Sequence, residues 1–212
     1  MGVSTMKIEW SLNELDLMVR RATRGSGLDW GIAEEAGKAI RWLCSFGFDG
    51  VSLLLEELTE ANKETALVNI SKSVWTGSSA LLIGIALIDR VGLSLPHRIK
   101  GLKNPLFLAP FLAQRAAAEK RSLTLDWTQG SISITSSGRV SVHGNLLSQN
   151  QVCIILSEQD DVIFGNEIYY IYRALITQDK VDQLREIAHR TYVPNSLSNQ
   201  AVDAGGGLID ND

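Results

Sequence analysis

The 212-residue chain reads as an α+β protein: a helical N-terminal half packed on one face of an antiparallel sheet, then a C-terminal helix and tail. Two observations carry this. Apolar residues recur at helical spacing up to about residue 120, and from Ser122 the period changes to two. The composition, 45% hydrophobic and 21% charged, is that of a globular chain long enough to bury a core without disulfide or metal.

Taken in order, Ser11 followed by Glu14 forms a capping-box pair, and Leu15, Met18, Val19 and Ala22 then make one face of a first helix. Asp29 is placed to cap a second helix over about 30–46, which Gly47 ends. Asp49 and Gly50 lead into a third, with Leu54, Leu55, Leu58 and Ala61 on one side. The segment Ser79 to Val91 is apolar nearly all round, which predicts a helix buried mid-fold, with Gly84 admitting a close neighbour. Pro105 and Pro110 predict an extended stretch and then the first turn of a helix to about Lys120.

The meander follows over 122–143. A turn at Gln129-Gly130 pairs Trp127 with Ile132 and Leu125 with Ile134. A three-residue loop, Ser136-Ser137-Gly138, pairs Ile134 with Val140, with Gly138 in the left-handed position. "VCIIL" and "IYYIYR" read as further strands. A last helix covers about 178–191, with Val181, Leu184, Ile187 and Ala188 inward. Residues 1–194 read as one α+β domain and 195–212 as a Gly/Asp/Asn-rich tail.

A net charge of −4 argues against a general nucleic-acid or membrane-surface binder, which shows a basic stripe. The longest apolar run, "ALLIGIAL" with Ile88, is about half of what spans a bilayer. The N-terminus lacks a signal-peptide pattern. Cys44 and Cys153 read as core thiols in a reducing compartment. A cytoplasmic protein is expected, and a homo-oligomer is compatible with all of this.

Candidate chemistry concentrates in "RGSGLDWGIAEEAGKAIRWL", residues 24–43. Arg24 and the Gly25-Ser26-Gly27 loop before a helix start suit a carboxylate or phosphate, although no Walker or dinucleotide motif is present; a tight corner between helices explains the same letters. Glu34 lies four residues before Lys38 and reads as its solvated partner. Glu35 shares an edge with Ala39, Trp42 and Phe46, so it is expected half-buried, with either a structural or an acid/base job. In the sheet, Asp126, Ser133 and Ser141 fall in one polar row and Thr128, Ser131 and His143 in the next. Asp126 and His143 sit two strands apart, too far for a triad. His143, where its strand ends, is the remaining catalytic candidate there. Three histidines far apart in sequence offer no local metal signature. In the tail, "GGGLIDND" reads either as a loose acidic end or as an amide nest with oxygen ligands.

"SLNEL" at 11–15, the 24–43 stretch, "RTYVP" at 190–194 and the terminal "GGGLIDND" together resemble a bacterial family of uncharacterised proteins, domain of unknown function 3726. The resemblance implies a bacterial protein and an ordered tail, and brings no activity and no catalytic residues. Two readings follow from the residues. The first is an enzyme or binding protein for a small anionic metabolite, with a pocket at Arg24, Gly25–Gly27, Glu35 and Tyr192 closed by the tail. The second is a non-catalytic interaction or scaffolding subunit using its helical surface.

Overall fold

The computed structural model describes residues 6–61, 69–70, 73–146, 151–158 and 165–191. The helical half begins with α1 (Leu12–Gly25), whose capping box forms as its letters require: Ser11 Oγ accepts from the Glu14 amide at 3.2 Å and Glu14 Oε2 from the Ser11 amide at 3.0 Å. Helix α2 (Trp30–Ser45) follows, and Asp29 has the extended backbone of a cap but makes no side-chain capping bond. Asp49 does cap α3 (Gly50–Ala61), accepting from the Ser52 amide at 3.2 Å. Leu15, Val19, Ala36, Ile40, Leu43 and Leu54 carry these helices into one apolar cluster.

Helix α4 (Ala80–Ile88) is apolar on every side and lies in that cluster. Its N-cap Ser79 accepts from the Leu82 amide at 3.1 Å, and other elements supply further partners for its end groups. At its N-terminus the Glu57 carboxylate, from α3, accepts from the Leu81 amide at 3.2 Å and from the Ser79 hydroxyl. At its C-terminus Arg115 Nη1 donates to the Leu87 carbonyl at 2.8 Å. Arg115 belongs to α5 (Ala109–Glu119) and is fully buried. A Cβ on Gly84 would stand 2.2 Å from the Phe111 ring, so that glycine lets α4 and α5 touch. Pro105 opens a 3-10 turn, Pro105–Leu108, rather than the expected extended stretch. Its fixed φ suits the first position of a tight helical turn equally well.

Among the described residues eight strands form the larger sheet: β2 (Asn69–Ile70), β3 (Val74–Thr76), β4 (Arg98–Leu102), β5 (Ser122–Trp127), β6 (Gly130–Ile134), β7 (Val140–Gly144), β8 (Gln151–Glu158) and β9 (Asn166–Ile168). Their order is β2-β3-β4-β8-β5-β6-β7-β9, antiparallel throughout except for the parallel β3–β4 pair. Helix α5 packs against β5 and β6. The β6–β7 corner has the expected register, Ile134 opposite Val140, with Gly138 at φ 86°. The β5–β6 turn does not: Trp127 pairs with Gly130 and Leu125 with Ile132, so the turn is Thr128-Gln129, one residue earlier than expected. The register moves by two, which keeps Leu123, Leu125, Ile132 and Ile134 on one buried face.

A separate two-stranded ribbon pairs β1 (Lys7–Ser11) with β10 (Arg173–Thr177). Strand β1 escaped the sequence reading because its alternation lasts only five residues. "IYYIYR" is not a strand. Strand β9 ends at Ile168 and β10 starts at Arg173; Tyr169 and Tyr172 between them are 74% and 82% exposed. Aromatic and β-branched letters favour strands only where a neighbouring strand and a buried face receive them. Helix α6 (Gln178–His189) packs along α1, with Val181, Leu184 and Ala188 buried. Among the described residues no helix is long and apolar enough to cross a membrane.

Candidate functional site

The Gly25-Ser26-Gly27 loop is built as a corner. Gly25 ends α1 against α6, where an added Cβ would stand 1.9 Å from the Ile187 carbonyl oxygen. Ser26, Gly27 and Leu28 donate their amides to the carbonyls of Ala22, Arg24 and Thr23. The Ser26 hydroxyl donates to the Thr23 carbonyl at 2.7 Å. Gly27 takes φ 95°, the left-handed turn position. Arg24 donates to the Leu28 carbonyl at 2.6 Å and lies over the Trp30 ring at 5.1 Å. The loop's donors are therefore spent on the helix that precedes them, the usual way a helix end is closed.

Glu35 is half-buried, as its edge position predicts; its side chain is 19% exposed. The pairing on this face differs from expectation. Lys38 donates to Glu35 Oε1 at 2.6 Å, while Glu34 stays exposed. The i,i+3 spacing lies on the same helix face as i,i+4, and burial of Glu35 favours the neighbour that reaches it. Among the described residues Glu35 Oε2 is buried without a hydrogen-bond partner. On the neighbouring helix Arg20 holds Asp16 with two bonds of 2.7 and 2.9 Å. Gly37 makes room for that pair, since a Cβ there would meet Asp16 Oδ1 at 2.1 Å.

His143 is exposed near the end of β7. The shifted β5–β6 register changes its row: Asp126, Ser131 and His143 now stand opposite one another across β5, β6 and β7, and Thr124, Ser133 and Ser141 form the neighbouring row. Two strand spacings, roughly 10 Å, still part Asp126 from His143. Ser133 and Ser141 are buried rather than solvated, and Ser133 Oγ lies 2.8 Å from Thr124 Oγ1. His143 belongs to this sheet and Glu35 to α2, so the two catalytic candidates stand on separate elements. Tyr192 and the 195–212 tail lie outside the described residues.

A cleft opens farther along α2. Lys38, Arg41, Trp42 and Ser45 are spaced three, four and seven apart, which places them on one stripe of the helix. They line a cavity of about 330 Å³ with Pro110 and Gln114 of α5 and Tyr170 of the β9–β10 loop. The loop is held there by its Ile171 amide, which donates to the Ser45 carbonyl at 2.6 Å. Aromatic packing supports the same seat. Trp42 lies 4.7 Å and Tyr170 5.9 Å from the Phe46 ring, and Tyr172 stacks edge-on against Tyr170 at 5.1 Å. Among the described residues Arg41, which lines the cleft, makes no hydrogen bond or ion pair, so its five donors are unspent there. The spacing 38-41-42-45 was legible in sequence, but nothing local showed that α5 and the tyrosine loop would meet it.

Two solved structures resemble the chain. Malate dehydrogenase from Pyrococcus horikoshii OT3 has a TM-score of 0.44 and 12% identity, over 77% of this chain and 53% of that one. Malate dehydrogenase from Entamoeba histolytica has a TM-score of 0.40 and 8% identity, over 71% and 49%. The chain thus spans about half the length of each. No curated protein matches it. The "RTYVP" and "GGGLIDND" segments lie beyond the residues a family model covers: residues 10–80, from the α1 cap to the start of α4, match the family described as protein of unknown function (DUF3726), the one that "SLNEL" and the 24–43 stretch resemble.

Proposed function

We propose that the protein binds a small anionic ligand in the cleft between α2, α5 and the β9–β10 loop. The observation that carries this is the meeting of Lys38 and Arg41, the latter without a partner among the described residues, with the rings of Trp42 and Tyr170 around one cavity. Concave sites that combine flat apolar walls with a few convergent polar groups are the usual seat of small ligands. The site thereby moves two to four turns along α2 from the glycine loop, whose amides and Arg24 are already engaged. Glu35 serves it by holding Lys38 in place at one end of the stripe. Isothermal titration against a panel of carboxylates and phosphates tests the reading. Arg41→Gln is expected to weaken binding at least tenfold and Arg24→Ala to leave it unchanged; the opposite pattern returns the site to the glycine loop.

One observation favours an interaction reading, placed on the β9–β10 loop and β10 rather than on the helical surface expected from sequence. Tyr169, Tyr172 and Leu175 lie at three-residue intervals with 66–82% of their surface exposed, and exposed large apolar side chains are what protein contacts cover. Sedimentation of the wild type beside a Tyr169→Ser/Tyr172→Ser variant separates the readings. A larger species that the double variant abolishes supports an interaction subunit, and a monomer in both removes that support.

A further inference from the structure

The cleft's walls and charge point beyond an anion in general. Resting on the reading of the cleft as an anion site, we infer that its ligand is a planar aromatic monocarboxylate of one or two rings. The size comes first. About 330 Å³ is at the small end of the roughly 300–1,000 Å³ that ligand pockets occupy, which suits a ligand of one or two rings.

The shape of the walls is the second argument. Trp42, Tyr170 and Pro110, three side chains built on rings, line the cavity. Trp42 and Tyr170 both rest on Phe46, so ring packing on both sides restrains them before anything binds. A planar ring can add to that cluster in the offset or edge-on geometry its members already use. The saturated ring of the same size offers the walls equal area but no complementary quadrupole.

The charge is the third. Lys38 is answered by Glu35 at 2.6 Å, whereas Arg41 has no partner among the described residues. Among the described residues two cations against one carboxylate leave a single unmatched positive charge at the cleft, which suits a monoanion better than a phosphate dianion. The guanidinium offers the two parallel donors that a carboxylate accepts. The Gln114 amide lies at the same cavity, on α5, while the Ser45 hydroxyl is already donated to the Trp42 carbonyl at 2.7 Å. Recognition of the carboxylate thus falls to Arg41, with Gln114 beside it.

The experiment is isothermal titration of the full chain with benzoate, indole-3-carboxylate, cyclohexanecarboxylate, acetate and inorganic phosphate. The aromatic acids are expected to bind about 3–10-fold more tightly than cyclohexanecarboxylate, the range for a ring-on-ring contact. Tyr170→Leu is expected to shrink that ratio, and Arg41→Gln to weaken every carboxylate at least tenfold. Both side chains are exposed enough to be changed without emptying the core. Equal affinity for cyclohexanecarboxylate and benzoate, or tightest binding of phosphate, overturns the aromatic monocarboxylate while an Arg41-dependent anion site survives. Absence of binding by any of the five overturns both.

Discussion

Replacing Arg115 by Met tests how the buried helix α4 is held. The guanidinium is fully buried and makes three bonds: Nε to Glu119 Oε1 at 2.8 Å, Nη1 to the Leu87 carbonyl at 2.8 Å, and Nη2 to the Leu93 carbonyl. Methionine fills most of the stem's volume, so the loss is mainly polar. A buried acceptor left unpaired costs about 1–3 kcal/mol. Leu87 bears that in full, and Leu93, nearer solvent, in part. Glu119 keeps Arg121 and the Gly92 amide, so its loss is small. The sum is about 2–4 kcal/mol, a large share of the roughly 5–15 kcal/mol that holds an ordinary domain. Urea unfolding followed by circular dichroism measures it, and the melting temperature should fall by about 10 °C for a chain of this size. Arg121→Met is the control. It touches the same carboxylate but is 34% exposed, so its cost should stay within about 1 kcal/mol. Equal costs for the two variants, or a change below about 1 kcal/mol for Arg115→Met, would show that the carbonyls find other partners and refute the reasoning.

Three further expectations follow from buried groups. Burial pushes the Glu57 carboxyl above its ordinary value despite its bonds to Ser79, Leu81 and Ala80. Its favourable contribution is therefore complete below the ordinary glutamate range and is lost as pH rises through the raised value. Denaturant titrations across mildly acidic to neutral pH should show wild type losing stability relative to Glu57→Gln, and parallel curves would contradict this. Burial pushes the Cys44 thiol to about 11 and the Cys153 thiol to about 12. At pH 8 a disulfide reagent should thus release no thiol from the native protein and two in urea; release from the folded state at the unfolded rate would place a thiol at the surface. Gly25→Ala, which forces α1 away from the Ile187 carbonyl, should cost about 1–3 kcal/mol in thermal unfolding. Gly31→Ala, with open space around it, should be neutral or stabilising by about 0.5 kcal/mol; the reverse order would remove the close-approach account of the glycine loop.

Local letters were sufficient where their partners lie within one turn of chain. The Ser11–Glu14 box, the stop at Gly47 and the left-handed Gly138 all formed from contacts a few residues apart. The periods of 3.6 and two were also enough to assign the layers, because each period puts apolar side chains on one face whatever that face meets. The half-burial of Glu35 followed from the same rule. Tertiary structure decided whatever depends on a distant partner. Periodicity sets which face of β5 and β6 is buried but is unchanged by a shift of two, so only the turn itself chose Thr128-Gln129. "IYYIYR" had strand composition and no strand beside it. Both ends of α4 are met by charges from α3 and α5, separated from it by more than twenty residues. The cleft beside Arg41 has the same origin. One helix stripe was present in the sequence, but a concave site needs a second wall, and folding brings that wall from residues 110–114 and 170.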